Sequence, residues 1–318
     1  MRVLGVISFL LGLCFFSYGL DISFSYDYLV ISTIAREQVF CDYNGSEHLL
    51  SELVWTGGDI GLAGLSSEFV FSNIVLSVDT AFSIKDFGSS YMEDYDFLNL
   101  GYDYATHYSV HDVIQDLYFE IVGLVGWDFS LGDAHVVPSI GWFYLHRKWS
   151  AYDGYAIYPV SPGEPYDPSS GTGSAYPYYT GSGTKTSLSG LVIDYEQEFM
   201  SPVFALSFSS GRLSIFSFSI EPYIGIYPIL YTLDNHYLRD IVFLDRMFGG
   251  LLTGGDIRVD IFLLDFLSFY GGYRLRYIEM VHGSSSFKES GVWYTAINGG
   301  SGMVSFSDGF FVGLEINF

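Results

Sequence analysis

The sequence predicts an all-β protein, a ten-stranded antiparallel transmembrane β-barrel, and composition is the first observation that predicts it. Of the 318 residues, 19% are aromatic, 49% are hydrophobic and only 15% are charged. These proportions are unusual for a soluble protein, whereas an outer-membrane barrel covers its lipid face with apolar side chains and its rims with aromatic ones. The 27 tyrosines and 28 phenylalanines fit that need.

The second observation is an alternation of apolar and polar residues with a period of two, which is typical of a strand with one face in lipid. At the C-terminal end every second residue from Phe310 to Phe318 is apolar, and Gly313, Glu315 and Asn317 lie between them. Because lipid offers no partner for backbone amides, such strands must close into a barrel with an even number of strands. We count ten.

Short turns separate the strands on one side of the predicted barrel, and longer, extracellular connections separate them on the other. The short turns are expected near 72–73, 132–133, 209–211 and 264–265, and the longer connections near Asn44, at 87–110, at 151–186, around Asp234 and at 283–302. The interior of a ten-stranded barrel is narrow, and we expect Arg274 and Arg276 to point into it. This filling argues against a passive pore.

Residues 1–19 have the pattern of a secretory signal peptide. Arg2 supplies a positive charge, an apolar run shorter than the ~20 residues of a spanning helix follows, and small residues precede the expected cleavage after Gly19. We therefore expect residues 20–318 to form the barrel. Cleavage would leave Cys41 as the single cysteine, so no internal disulfide is expected.

The charge of the chain bears on its partners. The formal net charge is −23, which opposes binding to nucleic acid and favours basic peptides through long-range steering. Acidic loops that simply keep barrels soluble and apart explain the charge equally well. The sequence has no phosphate-binding glycine motif and no closely spaced set of His and Cys, so we expect neither a metal centre nor a cofactor needed for chemistry.

Two polar clusters lie between strands on the predicted extracellular rim. Asp94 and Asp96 form the first cluster, and Asp234 and His236 form the second. Within each cluster the two side chains share a face, because they are two positions apart on an extended segment. His236 can act as a general base for water, and Asp234 can orient its imidazole. The aspartate pair can hold the water, and mutual repulsion can keep one carboxyl protonated. Alone, each motif also fits a hydrated or calcium-binding loop.

These clusters and the strands around them resemble the omptins, ten-stranded outer-membrane endopeptidases of Gram-negative bacteria. Met92, Asp94 and Asp96 match the family's acidic pair, and Asp234 and His236 match its Asp-x-His. The resemblance spans most of the mature chain. It implies peptide-bond hydrolysis at the outer rim, with water rather than a covalent enzyme intermediate attacking the scissile carbonyl.

Further residues match the family in part. Ser109 and His111 match its Ser-x-His and would be accessory, although ordinary loop hydrogen bonding explains them as well. Omptins that cut next to basic residues use a glutamate, matched here by Glu37, and an aspartate, where this chain has Thr232. With one of two carboxylates lost, we expect the attraction of the P1 pocket to Arg or Lys to be weaker.

Omptins also need lipopolysaccharide, held by basic residues on the outer wall. Tyr144, His146 and Lys148 match part of that lipid-binding motif, but Glu198 stands where the family has a phosphate-binding arginine. A carboxylate repels phosphate, so we expect this chain not to hold the lipid in the family's way. The leading function is a surface endopeptidase, and the alternative is a catalytically silent barrel that acts as an adhesin or host-protein binder.

Overall fold

The computed structural model describes residues 20–86, 88–98, 105–158 and 184–318. The predicted signal peptide, residues 1–19, and the centre of the predicted 151–186 loop lie outside the described residues. Among the described residues no helix has the length and hydropathy needed to span a bilayer.

Ten barrel strands account for nearly all of the described chain, and five of them are interrupted by a short break. They are β1 (Leu20–Tyr43), β2 (Ser46–Phe71), β3 (Ile74–Asp86 and Ser90–Asp96), β4 (His107–Trp127 and Phe129–Leu131), β5 (Ala134–Tyr158), β6 (Thr184–Ser187 and Leu191–Ser209), β7 (Phe216–Ile226 and Ile229–His236), β8 (Ile241–Phe248 and Gly250–Leu264), β9 (Leu267–Glu289) and β10 (Val292–Asn317).

Every strand pairs antiparallel with its neighbours in the chain, and the first strand pairs with the last. The closing register runs from Ser23 opposite Asn317 to Val39 opposite Ser301. The sheet is therefore a closed ring of ten strands, which confirms the predicted fold class.

The two faces of the barrel differ in polarity as the alternation predicts. Tyr26 on β1 and Phe310 on β10 point outward and are 53% and 71% exposed, whereas the intervening Asp27 is buried. The outer face of β1 changes from apolar at Ile34 to charged at Arg36, both exposed. An apolar belt thus surrounds the barrel, and the strands continue beyond it as a polar rim.

The interior is filled below the rim. Arg276 donates to Asp256 Oδ1 at 2.7 Å and to Glu120 Oε1 at 3.2 Å, and Arg274 donates to Asp256 Oδ2 at 2.7 Å. This network joins β4, β8 and β9 across the barrel, and a polar cavity of about 590 Å³ opens below it at the end opposite the rim. The inward position of both arginines is as predicted and argues against an open pore.

A second, aromatic layer lies between this network and the rim. Trp55, Trp149 and Tyr195 are fully buried, with Trp55 stacked on Tyr195 at 5.4 Å and Trp149 on Tyr195 at 5.9 Å between ring centroids. The guanidinium of Arg147 lies 4.9 Å from the ring of Trp149. This aromatic layer packs directly beneath the rim residues.

The predicted long connections are too long, because strands extend into each of them. The residues predicted as catalytic therefore lie within strands rather than between them, namely Asp94, Asp96, Asp234 and His236. The connection at Asn44 is a two-residue turn, Asn44 and Gly45, with φ of 56° and 80°. Positive φ at both central residues is the geometry of a tight hairpin, which Asn-Gly favours. At 283–302, β9 and β10 continue to a turn at Ser290 and Gly291. Hydropathy alternation marks only the part of a strand that faces lipid, so the sequence did not show that the strands extend further.

The ion network predicts that removing one of its charges will strongly lower the stability of the folded barrel. Arg276→Ala leaves Glu120 and Asp256 buried with one counter-charge fewer, and we expect a loss of about 3–5 kcal/mol in stability. The measurement is the temperature at which the folded, fast-migrating band disappears in a gel. Arg212→Ala is the control, because Arg212 pairs with Asp265 on the exposed surface. An equal effect of the two substitutions would contradict this account of the interior.

Candidate active site on the rim

The polar clusters predicted from the sequence lie on the rim, beyond the apolar belt. The outward neighbours of the site residues are polar or charged, namely Arg36 on β1, Glu93 on β3, Asn235 on β7 and Arg246 on β8. Water rather than lipid therefore surrounds the wall at this height, while the inward side chains face one shared cleft.

The first cluster is carried by the upper segment of β3. Asp94 and Asp96 both point inward and are each 8% exposed. Ser51 donates to Asp94 Oδ1 at 3.3 Å, and the Arg239 guanidinium lies 3.5 Å from Asp96 Oδ2. Burial and the neighbouring Asp96 carboxylate raise the pKa of Asp94 to about 7. The Asp94 carboxyl can therefore hold a proton near neutral pH.

The second cluster is carried by the end of β7. His236 Nε2 lies 2.6 Å from Asp234 Oδ2, and Asp234 is almost fully buried. Burial acts to lower the pKa of His236, but the Asp234 carboxylate and its hydrogen bond outweigh burial, so that the pKa is raised. Because a carboxylate only accepts, Nε2 carries the proton, and Nδ1 of the neutral ring is the basic atom.

The two clusters act on each other electrostatically. His236 works to lower the pKa of Asp94, and Asp94 contributes to raising the pKa of His236. β3 and β7 are four strands apart in a ring of ten, so closure of the barrel turns the two pairs toward one another. The four residues predicted as catalytic thus meet in one cleft, although 138 positions separate Asp96 from Asp234 in the chain.

Ser109 and His111 lie beside the first cluster on β4. Ser109 is the cross-strand partner of Asp94. His111 Nδ1 lies 2.6 Å from the backbone oxygen of Asp153, which only accepts, so Nε2 is the acceptor for the Ser109 hydroxyl at 2.9 Å. Burial lowers the pKa of His111 and keeps the ring neutral. This arrangement orients Ser109 at the edge of the cleft.

A group of buried carboxyls lies next to the second cluster. Glu37 and Thr232, both predicted to contact substrate, are inward and nearly inaccessible. Thr232 donates at 3.2 Å to Asp245 on β8, which is its cross-strand partner. Burial raises the pKa of Asp245 to about 6, and burial together with Asp234 and Asp245 raises that of Glu37 well above its usual range.

Three oxygens in this group have no hydrogen-bond partner among the described residues. They are Glu37 Oε2, Asp234 Oδ1 and Asp245 Oδ1. Unpartnered, buried carboxylate oxygens are costly, which makes the group a strong acceptor for a cation. Sequence reasoning missed Asp245. Its signal is weak, because only the register set by the four-residue turn 237–240 brings it opposite Thr232.

The chain is similar to known proteins in both sequence and fold. A model described as the Omptin family matches residues 19–318. The chain belongs to the omptin family. Among solved structures, the outer membrane protease OmpT from Escherichia coli matches with a TM-score of 0.81 and 15% identity, over 94% of this chain and 97% of that chain. At that identity the likeness shows the fold alone.

Two further solved structures are much less similar to this omptin. A mutant of the monoaromatic hydrocarbon channel TodX has 9% identity over 96% of this chain and 92% of that chain, and the translocator domain of the autotransporter NalP from Neisseria meningitidis has 8% over 100% and 94%. Both TM-scores are 0.30, too low to support an inference. Curated proteins gave no match. Family membership makes the chain an integral outer-membrane barrel, as predicted.

The outer wall at the predicted lipid-binding residues carries acidic as well as basic side chains. Tyr144, His146 and Lys148 point outward from β5. His146 Nε2 lies 2.7 Å from Glu196 Oε1, and Lys148 Nζ lies 3.5 Å from Asp194 Oδ2. Both basic side chains in this motif are thus engaged by carboxylates of β6.

The electrostatics of His236 predict a shift in pH dependence. The imidazole accepts a proton only when neutral, so kcat/KM for peptide cleavage should fall as pH drops through its raised pKa. Asp234→Asn removes the charge that raises this pKa while burial still lowers it, so the acidic limb should move to lower pH. The measurement is kcat/KM against pH for both proteins. An unmoved limb would show that another group controls it.

Proposed function

We propose that this omptin is a surface endopeptidase in which His236 and Asp234 activate water opposite Asp94 and Asp96. The observation that carries the proposal is that a largely buried, carboxylate-bound imidazole lies close enough to a carboxyl pair at the rim for each to shift the pKa of the other. Peptide hydrolysis by water needs a base for the nucleophile and polar groups that stabilise the charge of the transition state. The rim cleft contains both types of group.

The proposed reaction begins with a water between His236 Nδ1 and the aspartate pair. Nδ1 takes one proton as the water oxygen bonds to the scissile carbonyl carbon, and Asp234 stabilises the imidazolium that forms. The proton then passes from His236 to the leaving amine as the carbon–nitrogen bond breaks. Asp94 and Asp96, sharing one proton, hold the water without the repulsion of two full charges.

We infer that the substrate has a basic residue at P1, because the carboxyl side chains of Glu37, Asp234 and Asp245 cluster at the proposed active site. The family's second pocket carboxylate is replaced by Thr232, and Asp245 reaches the same point from the neighbouring strand through its hydrogen bond with Thr232. A guanidinium or ammonium entering here would satisfy the three unpartnered oxygens. The expectation of a weakened basic preference is therefore revised in favour of arginine or lysine.

We further propose that activity does not depend on lipopolysaccharide bound at the outer wall. Support comes from the engagement of His146 by Glu196 and of Lys148 by Asp194, and from the partly exposed carboxylate of Glu198. A silent adhesin is the second candidate function, but no observation on the rim favours it, since binding alone needs no imidazole paired with a buried carboxylate.

His236→Ala and Asp94→Asn should each lower kcat for a quenched fluorescent peptide containing Arg-Arg by about 100- to 10,000-fold, since each removes one group of the proposed chemistry. Gel migration of the folded barrel should be unchanged, because both side chains lie on the rim. The control variant His135→Ala, whose substitution lies at the opposite end of the barrel, should keep full activity. Loss of folding in both variants would contradict a purely catalytic role.

Asp245→Asn tests the specificity pocket. Cleavage after arginine should weaken, mainly through KM, because a carboxylate that faces the substrate cation is lost, while cleavage after a neutral residue should be spared. Thermal stability should stay equal or rise, since a buried carboxylate without sufficient partners is removed. Competition between two peptides that differ only at P1 gives the ratio of kcat/KM for the arginine peptide to kcat/KM for the neutral peptide. A ratio unchanged from wild type would exclude Asp245 from the pocket.

A further inference from the structure

Three potential metal ligands converge on the outer wall, away from the rim cleft. His146 on β5 and Glu196 and Glu198 on β6 each offer a ligand atom, and these atoms all lie within 4.8 Å of one another. His146 is the cross-strand partner of Glu198 and bonds diagonally to Glu196 at 2.7 Å. The three side chains are therefore held together by a rigid, paired sheet rather than by a flexible loop.

The charge balance of this wall leaves room for a cation. Asp194, Glu196 and Glu198 contribute three carboxylates on one face of β6, and Lys148 beside them lies 3.5 Å from Asp194. Asp194 also accepts from Ser150 and Tyr237, so its charge is well satisfied. Among the described residues Glu196 forms an ion pair with His146 and Glu198 forms none, although Lys148 is the cross-strand partner of Glu196. Carboxylates next to a lipid-facing belt are unfavourable unless neutralised.

We propose that His146, Glu196 and Glu198 bind one divalent transition-metal ion of the Zn²⁺ class. One imidazole nitrogen and two carboxylates are donors that zinc accepts, and a fourth position stays open toward the headgroup region. Ligand atoms on one zinc ion lie ~3.4 Å apart for bonds of ~2.1 Å. His146 Nε2 and Glu196 Oε1, now 2.7 Å apart, must separate slightly, and any ligand atoms farther apart than this spacing must close in. The glutamate side chains are partly exposed and can make these shifts.

The ligands were not visible in the sequence, because they come from two strands fifty positions apart. Bound metal would link β5 to β6 at the edge of the apolar belt. Because an ion that binds only the folded barrel stabilises it by mass action, zinc should raise the unfolding temperature of the protein. This site does not depend on the proposed peptidase chemistry.

The test is a titration of the chelator-treated, refolded protein in detergent micelles with Zn²⁺, in competition with a chromophoric zinc indicator. Wild type should bind one equivalent, and His146→Ala and Glu198→Gln should each weaken that equivalent at least about tenfold. His135→Ala is the matched control, because His135 also pairs with a carboxylate, Asp128 at 2.9 Å, but no third ligand joins this pair among the described residues. It should bind as wild type does.

A second measurement guards against a variant that misfolds. Zinc should raise the temperature at which the folded gel band is lost in wild type and in His135→Ala, but not in Glu198→Gln, which keeps the shape of the side chain. Absence of saturable binding would overturn the proposal. Equal zinc binding by all variants would also overturn the proposal. Loss of the bound zinc only in His236→Ala would overturn it as well, since the ion would then lie in the rim cleft.

Discussion

Closure of the hydrogen-bonded ring is the constraint on which the rest of this structure depends. In lipid an unpaired backbone amide has no partner, so β1 must pair with β10 along its length. Closure fixes which residues face inward, and it brings β3 and β7 opposite each other. Asp94 and His236 face one cleft for this reason, and no local interaction between their own strands is needed.

The closed ring also explains how so many charges are tolerated inside. Arg274 and Arg276 are matched by Glu120 and Asp256 within hydrogen-bond distance, so the charges of this network balance one another. The rim differs, because Glu37, Asp234 and Asp245 crowd together with oxygens left unpartnered among the described residues. Local cost of this kind is characteristic of functional sites, where the missing partner is the ligand. For this omptin the missing partner is inferred to be a basic side chain.

Much of the fold was accessible from the sequence because the determining pattern is local. A period of two over Phe310 to Phe318 is enough to identify a lipid-facing strand, and the same pattern repeated along the chain gives the count. The acidic pair and the Asp-x-His could be located for the same reason, since each is a short motif. Beyond the apolar belt the outward side chains no longer face lipid and need not be apolar. The alternation therefore did not predict how far β9 and β10 extend.

Features that depend on register between strands could not be found in this way. Asp245 is opposite Thr232 only because the preceding turn has a particular length, and His146 meets Glu196 and Glu198 only because β5 and β6 are aligned as they are. A one-residue shift in either pairing would turn these side chains to other partners. Both observations therefore required the structure.

The central claim is that the rim cleft hydrolyses peptide bonds next to basic residues. The most direct measurement incubates the refolded wild-type protein and its His236→Ala variant with a mixed peptide library and identifies the cut sites by mass spectrometry. Cleavage by the wild type alone, after arginine or lysine, is the result expected from this geometry. Cleavage by neither protein, with or without lipopolysaccharide, would contradict the claim and favour a silent, binding barrel.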